Sequence, residues 1–161
     1  MKYKLTLLAL SSLLVIAGCK KDKDDNVTPN DPPQNTNVKE ALVGKSWKLT
    51  KASLATDTST NILNDPTYSL LIGCIKDDIL TFNEDNTYSL NDGGTSCGAA
   101  LLPSSGTYEV SQDQKTLITD KGTDNEKSLK LVEVTDTKVK VDTEFEYLGA
   151  VLPVQGTFTA Q

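Results

Sequence analysis

Residues 137–147, TKVKVDTEFEY, decide the fold class of this chain. Through this stretch, side chains that suit a protein interior alternate with charged ones. The first set is Val139, Val141, Thr143, Phe145 and Tyr147. The second set is Lys138, Lys140, Asp142, Glu144 and Glu146. Because successive side chains of a strand point to opposite faces, the pattern predicts a β-strand with one buried and one hydrated face.

Seven further runs, rich in Val, Thr and aromatic residues, show the same alternation. Gly, Asn and Asp residues separate these runs from one another. They are residues 46–54, 78–83, 87–91, 106–111, 115–120, 127–134 and 154–160. One short helix is predicted at residues 65–72, where Asp65 can cap and Pro66 suits the first helical position. Eight antiparallel strands can close into a barrel that is either filled or able to hold one small ligand. The predicted fold class is therefore all-β, an eight-stranded antiparallel up-and-down barrel.

The lengths of the links between these strands alternate. The short links are residues 84–86, 112–114 and 135–136, and the long ones are residues 55–77, 92–105, 121–126 and 148–153. In an up-and-down barrel, all short links fall at one end and all long links at the other. The first strand then begins at the short-link end, so the long-link end should point away from the segment that precedes the barrel.

Apolar residues in three of the long links form a predicted rim for a ligand or a partner. They are Leu70, Leu71, Leu101, Leu102, Val151 and Leu152. The alternative is that these loops seal apolar surface of the core. Trp47, near the start of the first strand, is predicted to plug the closed end, and a ligand-stacking role is the alternative.

The composition limits the possible chemistry. All sixteen cationic residues are Lys, His is absent, and the net charge is −6. The missing His excludes Ser-His and Cys-His hydrolases and argues against zinc, and an acidic chain without Arg is a poor nucleic-acid binder. Asp77, Asp78, Glu84 and Asp85 are interpreted as turn residues rather than as a catalytic or calcium-binding group. We therefore predict no catalytic residue, metal or cofactor.

The N-terminus predicts export. Lys2 and Lys4 precede an apolar stretch at residues 5–17, which has the form of a secretory signal and is too short to span a membrane. In an oxidising compartment, Cys74 and Cys97 are predicted to form a disulfide, with two free thiols as the alternative. That bond would close a loop of 23 residues.

The signal ends in Ile16-Ala17-Gly18-Cys19, which resembles the lipobox of bacterial lipoproteins. The resemblance implies that Cys19 is acylated and that residues 1–18 are removed. More than one acyl chain gives stable membrane anchoring. Lys20 follows in place of the Asp that signals inner-membrane retention in some bacteria, which favours the outer membrane. The charged cluster at residues 21–25 resembles a surface-export signal, and a plain soluble spacer is the alternative.

Two segments resemble a barrel family. Residues 42–49, LVGKSWKL, look like the Gly-x-Trp entry strand of lipocalins, with one extra residue between Gly and Trp. Residues 74–78, CIKDD, followed by TFNEDNTY at 81–88 and by Cys97, are similar to bacterial lipocalin-like lipoproteins. Asn86 stands where the family usually has Gly, and Asn tolerates positive φ. The resemblance covers residues 40–160 and implies a lipocalin-like barrel without specifying its ligand.

The predicted domains are a signal peptide at residues 1–18, a lipidated Cys with a disordered tether at 19–38, and the barrel at 39–161. The predicted function is non-enzymatic: a lipid-anchored protein that holds a small apolar molecule or contacts a partner at the loop end. The alternative is a solid barrel that serves as a structural, accessory or inhibitor module. A cavity large enough for a ligand would separate the two.

Overall fold

The computed structural model describes residues 37–68, 72–95, 102–147 and 150–161. The strands are β1 (Ser46–Leu54), β2 (Ile79–Phe82), β3 (Thr87–Asn91), β4 (Ser105–Val110), β5 (Thr116–Thr119), β6 (Lys127–Val134), β7 (Lys138–Tyr147) and β8 (Ala150–Ala160). Each strand pairs antiparallel with the next, and β8 returns to β1 to close the barrel. The predicted fold class, an eight-stranded up-and-down barrel with one short helix, is confirmed.

The short links and the turn residues within them are placed as predicted. Asn86 in the β2–β3 link has a φ of 65°, and Gln114 in the β4–β5 link has a φ of 59°. Asn86 therefore occupies the left-handed backbone region in which the family usually places Gly. We call the end formed by the links β2–β3, β4–β5 and β6–β7 the closed end, and the opposite end the open end.

A helix that the sequence pattern does not predict covers the closed end. The helix α1 (Val38–Leu42) precedes β1 and is capped by Asn37, whose side chain accepts a hydrogen bond from the Glu40 amide. Five residues are too few to display a helical period, so the segment carries no recognisable amphipathic signal. Val38 and Leu42 of α1 are buried in the main core cluster together with Trp47.

The predicted helix at residues 65–72 is shorter than expected in the described part of the chain. A single 3-10 turn covers Pro66–Tyr68, and a second one precedes it at Ile62–Asn64. The predicted cap is present, because the amide of Thr67 donates to Asp65 Oδ1 at 2.8 Å. Residues 69–71 lie outside the described residues.

The prediction that residues 148–153 form a long loop is wrong. β8 begins at Ala150, and its first four residues continue the ladder with β7, from the pair Tyr147 with Ala150 to the pair Glu144 with Pro153. Pro153 has no N–H to donate to the ladder, yet its carbonyl accepts a hydrogen bond from the amide of Ala55 at 2.9 Å. Val151 and Leu152 are therefore strand residues of a long β7–β8 hairpin.

Candidate ligand-binding site

The barrel encloses a cavity of about 710 Å³ that is lined mainly by apolar side chains. This volume lies within the roughly 300–1,000 Å³ that is usual for sites that bind small molecules. Its apolar walls include Leu42, Trp47, Leu49, Ala52, Ile72, Ile75, Leu80, Phe82, Leu90, Leu102, Leu117, Leu129, Val139, Val141, Phe145, Val154 and Phe158. The interior faces of the strands thus form a container rather than a filled core.

Trp47 lies at the bottom of this container. Its side chain is buried and contributes to the cavity wall, and its indole Nε1 donates a hydrogen bond to the carbonyl of Leu42 at 2.9 Å. Buried Trp side chains need such a partner, because an unpaired N–H in an apolar site is costly. Trp47 and α1 together therefore separate the cavity from solvent at the closed end.

Two small residues, Ala52 and Gly156, line the cavity on adjacent strands. Gly156 of β8 pairs with Ala52 of β1 on one side and with Val141 of β7 on the other. A Cβ atom on Gly156 would meet Leu49 Cδ1 and Phe158 Cε2, each at 3.4 Å, which is ordinary van der Waals contact. A Cβ atom at this position would therefore already touch side chains of the wall, and a larger side chain would have to project among them into the interior.

The long link between β1 and β2 covers part of the open end. Ile62, Leu63, Ile72 and Ile75 are buried in a second core cluster with residues of β1 and β8. Ile72 and Ile75 also line the cavity. This link therefore packs into the barrel instead of standing free of it.

The residues of the predicted rim do not share one environment. Leu102 is half-buried and lines the cavity, and Leu152 is half-buried against the second core cluster. Val151 is 60% exposed on the β7–β8 hairpin and does not contribute to the cavity wall. Leu70, Leu71 and Leu101 lie outside the described residues.

Near the open end, the cavity wall becomes polar. Asp78 shares the interior face of the β2 segment with Leu80 and Phe82, and all three line the cavity. Lys127 and Leu129 share the interior face of β6 in the same way. Thr143, Glu144 and Asn125 complete the polar part of the lining. A molecule in the barrel would therefore meet apolar walls along most of its length and charged groups near the open end.

The Asp78 carboxylate has an unusual environment. Its Oδ1 atom is buried without a hydrogen-bond partner in the described part of the chain. Burial, followed by the negative charges of Asp92 and Asp77, raises the pKa of Asp78 to about 6. A group with these properties, placed in a cavity, is a candidate for a functional role.

Asp77 is held beside Asp78 by the loop after β3. Its Oδ2 atom accepts a hydrogen bond from the amide of Gly94 at 2.8 Å. Gly93 has a φ of 61°, and a Cβ atom there would lie 2.7 Å from the Asp77 carbonyl oxygen, so only Gly fits. The two adjacent carboxylates are therefore fixed by backbone geometry.

The interpretation of Asp78 as a turn residue misses its position on the cavity wall. The signal that could reveal it is the alternation of residues 78, 80 and 82, which places the carboxylate on the same face as two core side chains. Sequence analysis attributes the Asp residue to the preceding turn because Asp is common in turns for backbone reasons.

Asp78 makes the stability of the barrel depend on pH. Its pKa is higher in the folded protein, about 6, than the ordinary value of 3.8. The stabilising contribution of its proton is therefore complete below pH 3.8 and is lost as the pH rises through about 6. Asp78→Asn should raise the free energy of unfolding at pH 7.5 by about 1 kcal/mol, because solvent screens the partly exposed carboxylate, and the gain should vanish near pH 4.

Urea unfolding of the wild type and of Asp78→Asn between pH 4 and pH 8 tests this expectation. Asp124→Asn is the matched control, because it removes the same charge from an exposed residue of the β5–β6 link at the same end of the barrel. An equal stability difference between wild type and Asp78→Asn at all pH values would contradict the proposed titration.

The predicted disulfide remains a prediction. Cys74 is half-buried, lines the cavity and packs against the second core cluster, whereas Cys97 lies outside the described residues. Peptide mapping without reductant should recover the two cysteines in one linked pair. Closing a loop of 23 residues should stabilise the protein by roughly 3 kcal/mol, which Cys74→Ala/Cys97→Ala should lose. Two free thiols in exported, oxidised protein would refute the pairing.

Among the described residues, no group of three or more His, Cys, Asp or Glu side chains is arranged to hold a metal ion. A search of curated proteins finds no match to the sequence. A family model described as a lipocalin-like domain matches residues 42–141, a range that includes Trp47, Asp78 and most of the strands that line the cavity. The chain belongs to the lipocalin-like domain family, whose barrel is a binding-protein fold.

Proposed function

We propose that this protein is a non-enzymatic carrier that holds a small, largely apolar molecule inside its barrel. The observation that carries the proposal is the cavity of about 710 Å³ with apolar walls. Transfer of apolar ligand surface from water into such a site contributes about 25 cal/mol per Å². A lining in which Leu, Ile, Val and Phe predominate therefore favours apolar ligands over polar metabolites.

The cavity also argues against the alternative of a solid barrel that acts only as a structural, accessory or inhibitor module. Protein interiors are normally close-packed, with few voids larger than a water molecule. A barrel that served only as a rigid scaffold would gain stability by filling this space with larger side chains. Gly156 and Ala52, which pair on adjacent strands of the wall, instead contribute little side-chain volume to the interior.

Mass spectrometry of molecules that co-purify with the protein from its native host tests the proposal. The organic extract of the wild type should contain a small apolar compound in near-stoichiometric amount. The Gly156→Phe variant, purified in parallel, places a bulky ring in the cavity and should carry the same bulk membrane lipids, so it serves as the control. The proposal fails if every extracted compound is equally abundant in both preparations.

We further propose that the carrier is an outer-membrane lipoprotein anchored through Cys19, facing either the periplasm or the cell surface. The support is the signal-like N-terminus and its Ile-Ala-Gly-Cys ending. In the described part of the chain, none of the helices is long and apolar enough to cross a membrane.

Cys19→Ser should abolish incorporation of labelled palmitate and release the protein from the membrane fraction. The reason is that stable anchoring depends on the acyl chains attached to this one side chain. Cys74→Ala/Cys97→Ala is a suitable control, because it removes the other two cysteines together without removing the predicted acylation site. Continued palmitate labelling of the Cys19→Ser protein would contradict the anchoring proposal.

A further inference from the structure

We propose that the ligand is an amphiphilic amine, with an apolar body in the barrel and a protonated nitrogen at Asp78. This inference rests on the proposed carrier function and specifies the class of ligand. The geometry that points to it is the Asp78 carboxylate, which has a buried, unpartnered oxygen and lies in the wall of a mainly apolar cavity.

The Asp78 carboxylate has no partner in the described part of the chain. No hydrogen bond or ion pair to the Asp78 side chain occurs in the described part of the chain, and its Oδ1 atom is buried. A buried acceptor without a partner costs free energy, so a ligand that supplied a donor would remove that cost.

The charges around Asp78 are negative. Asp77 and Asp92 are the neighbours whose charges act on Asp78, and both are negative. Asp77 already receives a hydrogen bond from Gly94, whereas the Asp78 carboxylate faces the cavity. The local potential is therefore negative, and a cationic head placed there would interact favourably with all three carboxylates.

A ligand with an anionic head group fits this site less well than an amine. Lys127 lines the cavity and could attract an anionic head, but its side chain is exposed to water. An ion pair at an exposed Lys contributes little, while a cation at a partly buried carboxylate is screened much less. A fatty acid head in the same region would also approach Asp78, which lines the cavity. The observations thus favour an amine over a carboxylate.

The test compares three ligands that share one alkyl chain and differ only in the head group. Dodecylamine, 1-dodecanol and dodecanoate compete at pH 7.5 against the neutral fluorophore N-phenyl-1-naphthylamine. The protein is the predicted mature chain, residues 19–161 with Cys19→Ser, so that no covalently attached acyl chain competes for the cavity. Asp78→Asn is the test variant, and Asp124→Asn is the control for loss of one negative charge at the same end of the barrel.

Dodecylamine should displace the fluorophore at a concentration about tenfold lower than dodecanol, in keeping with a charge-assisted hydrogen bond. Asp78→Asn should abolish the preference for dodecylamine and leave the affinity for dodecanol nearly unchanged. Asp124→Asn should keep the preference for dodecylamine. Equal displacement by amine and alcohol, a preference for dodecanoate, or an amine preference that survives in Asp78→Asn would overturn the inference. If the fluorophore itself fails to bind, the carrier function fails first.

Discussion

Trp47→Ala should lower the free energy of unfolding by about 3–5 kcal/mol, the usual cost of truncating a large buried aromatic side chain. Trp47 is 1% exposed and packs at the closed end with α1. Its removal would leave the carbonyl of Leu42 without its indole partner and would join the ligand cavity to a new void beneath it. Because small domains have only about 5–15 kcal/mol of stability, this loss is large.

Urea unfolding followed by far-UV circular dichroism measures the effect. Trp47→Phe keeps an aromatic ring but loses the indole N–H, so the free energy of unfolding should fall by less than in Trp47→Ala. This variant also provides a measurement if Trp47→Ala does not fold. Lys48→Ala changes the next residue, which points to the opposite face of β1, and should be nearly neutral. A loss below about 1 kcal/mol for Trp47→Ala would contradict the role of this residue in closing the barrel.

Gly156→Phe should weaken binding of N-phenyl-1-naphthylamine by at least about 100-fold, because the new ring would occupy the space that the ligand needs. A Cβ at this position would lie 3.4–3.6 Å from atoms of Leu49, Phe158 and Val141, so the ring would project among these side chains into the cavity. Overpacking at this buried position should lower the free energy of unfolding by about 1–3 kcal/mol, so far-UV circular dichroism must show that the variant is folded before its affinity is compared.

Thr157→Phe is the matched control, because it places the same ring on the outer face of β8, one residue further along. Fluorescence titration should give an affinity close to that of the wild type for Thr157→Phe and little saturable binding for Gly156→Phe. Equal affinities for the two variants would mean that the fluorophore binds outside the barrel.

Local periodicity is sufficient to predict most of this fold. The alternation at residues 137–147 identifies β7, and the same pattern identifies seven neighbours, because each strand has one buried and one hydrated face. The turn residue Asn86 adopts the positive φ expected of it. These features depend on nearby residues alone, so the sequence displays them directly.

The features that escape prediction depend on tertiary contacts. α1 is only five residues long, so it shows no helical periodicity in the sequence, and it is stabilised by packing against the core at the closed end. The early start of β8 depends on pairing with β7, which overrides the turn signal of Pro153. The cavity depends on which side chains the strands bring together inside the barrel, and Asp78 becomes notable only because it lines that cavity.

The central claim is that the inside of the barrel binds an apolar molecule, and intermolecular nuclear Overhauser effects test it most directly. With methyl-labelled mature chain and saturating N-phenyl-1-naphthylamine, we expect cross-peaks from the ligand to the methyl groups of Leu49 and Val141, which line the cavity. Ile118 is the internal control, since it follows the cavity-lining Leu117 on β5 and faces the outside of the barrel. Cross-peaks to Leu49 and Val141 without any to Ile118 are the predicted result. Cross-peaks to Ile118 alone, or none at all, would contradict the claim.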